Sequence, residues 1–169
     1  RKSLTWIPVT MMVLYANEPA DSIVRAKVIT ELDAACPAIM GDEQQLRQVI
    51  HNLLQNAQDA CEARGGVPDQ ACVMVRTEWR AARGRVRLTV TDTGPGFAPN
   101  ILKRAFEPYV TTKAKGTGLG LAVVKKIADE HGAKIEMGNI LQNDVIQGAQ
   151  VSLSFAAMQA AVGLEKSSA

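Results

Sequence analysis

The chain is short of cysteine. Its three, Cys36, Cys61 and Cys72, are odd in number and show no CxxC or Cys/His spacing. That argues against a disulfide framework or a zinc site and suits small buried apolar residues in a reducing compartment. A long hydrophobic run is also missing: the longest apolar-looking stretch, Trp6 to Ala16, is too short to span a bilayer and contains Pro8. No signal-peptide pattern precedes it, and the chain opens on Arg1 rather than on methionine, so it reads as a fragment of a longer protein. There is no marked excess of charge. A formal net charge of +2 gives no argument for nucleic acid or an anionic membrane, and the basic residues matter only where they cluster. Internal repeats and low-complexity tracts are absent as well.

What is present suits one ordinary domain. With 169 residues, 47% hydrophobic and 21% charged, the chain can bury a sizeable core without staples. A short helix is expected to lead out of Pro8, a strand to run through "SIVRAKVITEL", and "CPAIMGD" to be an extended piece ending in a turn. Asp42 reads as a helix cap with Gln45 at the capping-box position, opening a helix that runs to Arg64 and stops at Gly65, Gly66 and Pro68. "ACVMVRTEWR" and "GRVRLTVTD" read as strands of a hairpin joined by "AARG". "TGPGFAPN" is turn chemistry, and "NILKRAFEPYVTTKAKG" a long connection with about one helical turn. A helix follows between Gly116 and Gly132. The strands "AKIEMGN" and "GAQVSLSFA" come next, separated by the polar "LQNDVIQ". This order predicts an α+β two-layer sandwich with helices on one face of the sheet, rather than an alternating βαβ fold.

Three features carry chemistry. In "KAKGTGLGLAVVKKIADEHG", Gly116, Gly118 and Gly120 weaken the start of a helix that Leu121, Val124, Ile127 and Ala128 then sustain. A helix N-terminus stripped of side chains suits an approaching phosphate, and an ordinary glycine-rich turn has the same look. On the long helix, Leu46, Ile50, Leu53, Leu54, Ala57 and Cys61 form a core stripe. Asn52 and Asn56 project within about 40° of each other beside it, with Asp59 close by. Such a flank is either merely solvated or a source of hard amide ligands for Mg²⁺. His51 lies about 140° from Asn56 and reads as a surface or boundary residue. The third feature is "VRLTVTDTGPGF", where Asp92 ends a strand beside Gly94 and Gly96. A carboxylate there can accept a hydrogen bond from a ligand's exocyclic amine, although Asp-x-Gly is also plain turn chemistry. The following loop holds Lys103, Arg104, Lys113 and Lys115, punctuated by Phe106 and Tyr109, and suits a lid over a triphosphate or a solvated basic loop.

"NLLQNA", "DTGPGF", "FEPYVTTK" and "GTGLGL", in this order, resemble the N, G1, F and G2 boxes of the sensor histidine kinase catalytic domain. That domain belongs to the ATPase superfamily shared with gyrase B, Hsp90 and MutL. The resemblance covers roughly Asp42 to Phe155, and the wording of the boxes is similar to the nitrogen-regulation type. It implies a mixed sheet of about five strands backed by about three helices, with ATP between the helix layer and a lid over residues 97–115. By the same resemblance Asn56 holds Mg²⁺, Asn52 supports the phosphates or metal, and Asp59 lies beside them. Asp92 binds the adenine amino group, with Gly94 and Gly96 letting the turn approach the base. Phe106 and Lys113 belong to the lid, and Gly116, Thr117, Gly118, Leu119 and Gly120 close over the triphosphate. Residues 1–16 are then a connection plus first helix, residues 17–157 the ATP-binding domain, and residues 158–169 a fraying tail. Neither a P-loop nor a protein Ser/Thr kinase set is present, so ATP binding rests on this constellation.

Two departures stand out. Ala149 occupies a position where the family often has Thr or Ser near the base, and His131-Gly132-Ala133 replaces a frequent His-Gly-Gly. The related hydrolysing ATPases carry a glutamate one turn before the metal-binding asparagine, whereas Asn52 stands here, and an amide cannot take a proton at neutral pH. The resemblance therefore implies a cytoplasmic domain that holds Mg-ATP for a histidine in a dimerisation domain outside this chain. A response-regulator receiver domain is the next partner, with no nucleic acid and no direct membrane contact. Neither His51 nor His131 matches the accepting histidine's surroundings. A hydrolysing ATPase of the gyrase or Hsp90 type and a degenerate docking module are the rival readings.

Overall fold

The computed structural model describes residues 3–16, 27–64, 72–107 and 120–157. Along the chain run β1 (Leu4–Ile7), α1 (Val9–Ala16), β2 (Lys27–Glu31), β3 (Ile39–Asp42) and α2 (Glu43–Ala63). Then come β4 (Cys72–Arg80), β5 (Arg85–Asp92), α3 (Pro99–Arg104), α4 (Gly120–Glu130), β6 (Lys134–Gln142) and β7 (Val145–Ala156). Five strands form one mixed sheet in the order β2-β4-β5-β7-β6, with only the β2–β4 pair parallel. This is the expected α+β arrangement.

Alternation along the strands builds the core. Val73, Val75 and Thr77 of β4, Val86, Leu88 and Val90 of β5, and Val151, Leu153 and Phe155 of β7 point to one face and are buried. The helices cover that face: α2 lies over β4 and β5, and α4 packs on α2 and reaches β6. The anticipated stripe of α2 is buried throughout, with Val49 added to it. Each fully buried aliphatic side chain contributes about 1.5–3 kcal/mol relative to exposure. α4 turns Val124, Ile127 and Ala128 inward. Among the described residues no helix is long and apolar enough to cross a membrane.

Several elements differ from the sequence expectation. Leu4–Ile7 is a strand, paired antiparallel with β3. Ile7, Val9, Met12 and Val13 join the main core, so the first described residues pack as part of the same body. β3 leads directly into the cap of α2. Asp42 is that cap, its Oδ1 accepting from the Gln45 N–H at 3.1 Å, but Gln45 does not complete the capping box. Its Nε2 donates to Glu130 instead, at 3.4 Å, while the Asp42 N–H goes to His131. The polar stretch before β7 is not a loop: β6 and β7 continue through it and turn at Asn143 and Asp144 alone, with φ of 51° and 62°. Asn and Asp tolerate that left-handed region, which is why two residues suffice. The β4–β5 hairpin turns through Ala81–Arg83 as expected, closed by Gly84 at φ 62°. Cys36, Cys61 and Cys72 are free, Cys61 being buried.

Candidate functional site

The site begins on one edge of α2. Asn52, Asn56 and Ala60 are spaced four residues apart and form a single row on the helix surface. Gly120, the first residue of α4, sits against the first two. The Asn52 Nδ2 lies 3.5 Å from the Gly120 carbonyl oxygen, and a Cβ added at Gly120 would stand 3.6 and 3.7 Å from the Asn56 amide atoms. Gly94 sits against the third: a Cβ there would lie 2.7 Å from both the Cβ and the carbonyl oxygen of Ala60. The asparagine pair, the start of α4 and the turn after β5 therefore share one wall. Gly94 is thus required first by its packing on the helix backbone.

Asp92 closes β5 opposite Ala149 of β7. Its Oδ1 accepts from the Gly94 N–H at 2.9 Å and from the Ala149 N–H at 3.3 Å, which aims the carboxylate along the turn and ties it to β7. Ala149 brings no hydroxyl, but its backbone reaches Asp92. Gly96 adopts φ 78°, and a Cβ would lie 2.5 Å from the Ile146 Cγ2 and 2.8 Å from the Asn139 Oδ1. Asp59 points along α2 and accepts from the Gln55 Nε2 at 3.0 Å. Phe106 is half-buried beyond α3, and His51 is exposed, as expected of a residue outside the site. Lys113, Gly116, Thr117, Gly118 and Leu119, with residues 108–115 of the expected lid, lie outside the described residues.

Residues not singled out in the sequence brace this wall. Asn139 of β6 works as a two-pronged clamp, its Oδ1 accepting from the Phe97 N–H at 2.7 Å and its Nδ2 donating to the Phe97 carbonyl at 2.8 Å. The Arg64 Nη1, at the end of α2, donates to the carbonyls of Thr93 at 2.7 Å and Gln147 at 3.2 Å. The Thr93 Oγ1 accepts from the Cys72 N–H at 3.1 Å. At Gly148 a Cβ would run into the carbonyl oxygen of Asp92, so only glycine lets β7 pass the end of β5 here. An arginine after a helix is common, and a lone asparagine in a strand, though disfavoured there, does not name its partner. Only the glycine before "AQV" offered a signal.

Residues 41–158 match the family described as histidine kinase-, DNA gyrase B-, and HSP90-like ATPase, and the chain belongs to that family. Sensor histidine kinases are among its relatives within that family, and its fold is that of their catalytic domains. The sensory histidine kinase/phosphatase NtrB of Rhodobacter capsulatus is 36% identical over 115 residues, 65% of this chain and 32% of its own length. ZraS of Salmonella typhimurium is 43% identical over 102 residues, 60% of this chain and 20% of its own. An NtrY-like protein of Rickettsia bellii is 37% identical over 111 residues, 66% of this chain and 16% of its own. The chain thus spans about a third or less of the curated relatives it matches. Among solved structures, full-length ShkA in complex with AMPPNP superposes with a TM-score of 0.74 at 29% identity, over 92% of this chain and 31% of ShkA. The catalytic domain of histidine kinase ThkA gives 0.74 at 26% identity, over 91% of this chain and 95% of that domain.

Proposed function

We propose that this domain binds Mg-ATP beside α2 and presents the γ-phosphoryl to a histidine of a dimerisation domain outside this chain, for relay to a response-regulator receiver domain. The observation that supports it is the shared wall on which Asn52, Asn56, Gly120 and the Asp92–Gly94 turn meet. In this reading Asp92 accepts from the adenine amine, and Gly94 and Gly96 keep the turn free of side chains next to the base. The Gly116–Gly120 ribbon offers its N–H groups to the triphosphate, as helix N-termini do for anions, and Lys113 adds a lid cation. The ShkA complex with AMPPNP, in a relative of the same fold, favours a nucleotide over other anions.

Mg²⁺ fits the donors present. The Asn56 amide oxygen is a hard ligand, Asp59 lies one turn further on, and Gly120 has no side chain to fill the space beside that amide. Among the described residues no group of three His, Cys, Asp or Glu side chains stands ready for a metal. A metal here would rely on nucleotide phosphates and water as well as Asn56, the usual habit of Mg²⁺. Bound there, the ion would neutralise phosphate charge. The chain's own contribution is positioning: catalysis of phosphoryl transfer consists mainly of holding donor and acceptor in line. Asn52 cannot serve as a general base for water, which preserves the phosphoryl group for another acceptor. ATP as substrate makes the cytoplasm its compartment.

Titration with a fluorescent ATP analogue, with and without Mg²⁺, tests the binding step. Asn56→Ala and Asp92→Ala are each expected to weaken affinity about tenfold or more, from loss of a contact worth ~1.5–3 kcal/mol. Labelled ATP mixed with this domain and a separate, folded dimerisation domain is expected to yield phosphohistidine. Its absence, with both partners folded, would exclude the kinase reading.

A further inference from the structure

The face of the sheet turned away from the helices carries a groove that ATP binding does not use. Arg80, Arg83, Arg85, Arg87 and Lys134 line it, with Glu136, Ser152 and Ser154. Strand register explains the gathering of charge. Arg80 stands directly opposite Arg85, and Arg87 opposite Ser154, which in turn faces Lys134 across β6. Like charges placed directly opposite on antiparallel strands are unfavourable. Glu78, 3.7 Å from Arg80, and Glu136, 3.9 Å from Arg87, offset part of that repulsion, and an acidic ligand would offset the remainder.

The guanidinium groups are also held in place. The Arg85 Nε donates to the Ser154 Oγ and its Nη2 to the Ser154 carbonyl, both at 2.6 Å. The Arg87 Nη2 donates to the Ser152 Oγ at 3.2 Å. Ser152 is only 4% exposed although it stands on the outward face, because the side chains of this layer cover it. A guanidinium pinned before binding loses little freedom on meeting a carboxylate, and its planar fork matches that group. The groove lies at the opposite end of β5 from Asp92 and on the opposite face from α2.

We infer that this groove docks an acidic segment of a protein partner, whose carboxylates meet Arg83, Arg85, Arg87 and Lys134. Charge complementarity selects a protein segment over an extended polyanion. Glu136 sits in the groove itself, and Arg76 beside it is already engaged with Glu31 at 3.6 Å and Glu78 at 3.8 Å. A nucleic acid or an anionic bilayer would press phosphates onto those carboxylates, whereas a segment with a few acidic groups and its own cations would not. The net charge of +2 likewise offers no broad field for a polymer of phosphates.

Fluorescence anisotropy with a fluorescein-labelled hexaglutamate peptide, at about 0.1 M salt, tests this. Saturable binding is expected, and the double variant Arg83→Glu/Lys134→Glu is expected to weaken it about tenfold without altering affinity for a fluorescent ATP analogue. Arg83 and Lys134 are exposed, so that variant keeps the fold. Arg47→Glu/Lys126→Glu, on the helix layer, changes net charge equally and is expected to leave peptide binding within about twofold. An equal loss in that control, the absence of saturable binding, or preference for an oligothymidylate of equal charge or for phosphatidylserine vesicles would each overturn the proposal.

Discussion

The backbone N–H of Asp42 donates to the Nε2 of His131 at 3.0 Å, joining residues 89 positions apart. Because Nε2 accepts, Nδ1 carries the proton and donates to the Ile127 carbonyl, 2.8 Å away. One imidazole thus links the N-terminus of α2 to the C-terminus of α4, the two helices whose facing surfaces hold Asn52, Asn56 and Gly120. Gly41 makes room for it: a Cβ there would lie 2.9 Å from the His131 Cδ2 and 2.6 Å from the Leu46 Cδ1. His131→Leu orphans the Asp42 N–H and is expected to destabilise the domain by about 1–3 kcal/mol, read as a lower urea midpoint at unchanged slope.

Gly148 and Gly138 stand on the neighbouring strands β7 and β6 and make opposite predictions. A Cβ at Gly148 meets the Asp92 carbonyl, whereas one at Gly138 finds nothing within 4 Å. Gly148→Ala is expected to spread β5 from β7 at its Asp92 end, costing ~1–3 kcal/mol and most of the affinity for ATP. Gly138→Ala is expected to change neither thermal midpoint nor ATP affinity measurably.

The clamp between Asn139 and Phe97 fixes where the chain leaves the turn and runs on to α3. Asn139→Leu keeps the side-chain volume and removes both bonds. A rise in the dissociation constant for the ATP analogue, with retained secondary structure by circular dichroism, is the expected result. An unchanged dissociation constant would show that the clamp serves the hairpin alone.

Acid should loosen the far edge of the sheet. The Asp33 carboxyl is held below its usual value of 3.8, first by the Trp79 N–H and then by that of Ala35, at 3.0 and 2.9 Å. Because the folded value is the lower one, the stabilisation is fully present above the unfolded value. It is lost as pH falls through the depressed folded value. Urea midpoints followed downward from about pH 5 should decline, and Asp33→Asn should flatten that decline. An identical slope in the variant would assign acid sensitivity to other carboxylates.

With an amide at position 52, the isolated chain is expected to release phosphate from ATP far more slowly than it binds nucleotide, and Asn52→Ala should not raise the rate. Brisk steady-state release by the isolated domain would instead favour the hydrolysing relatives of this family.

The periodic parts of the fold were legible residue by residue. The stripe from Leu46 to Cys61 announced α2, and the hairpin around "AARG" was written in two alternating runs and a glycine. β1 was not legible, because four residues beside a proline carry too little pattern and become a strand only by pairing with β3. The capping box was half right for a similar reason: Asp42 caps its own helix, but the partner of its N–H comes from the far end of the chain. Asn56 and Asp92 stood out through short motifs, while Arg64, Asn139 and Gly148 did not, since their partners are backbone atoms of distant segments.

Local chemistry alone therefore determined most of the element types, the apolar face of α2 and the short motifs proposed for a nucleotide site. Each rests on a repeat of two or about 3.6 residues, or on a motif a few residues long. Tertiary structure alone decided that Gly94 and Gly120 press on one row of α2, that an imidazole joins two helices, and that four arginines line one groove on the outer side of the sheet. Those relationships depend on strand order and register, which arise when distant segments bury their apolar faces together.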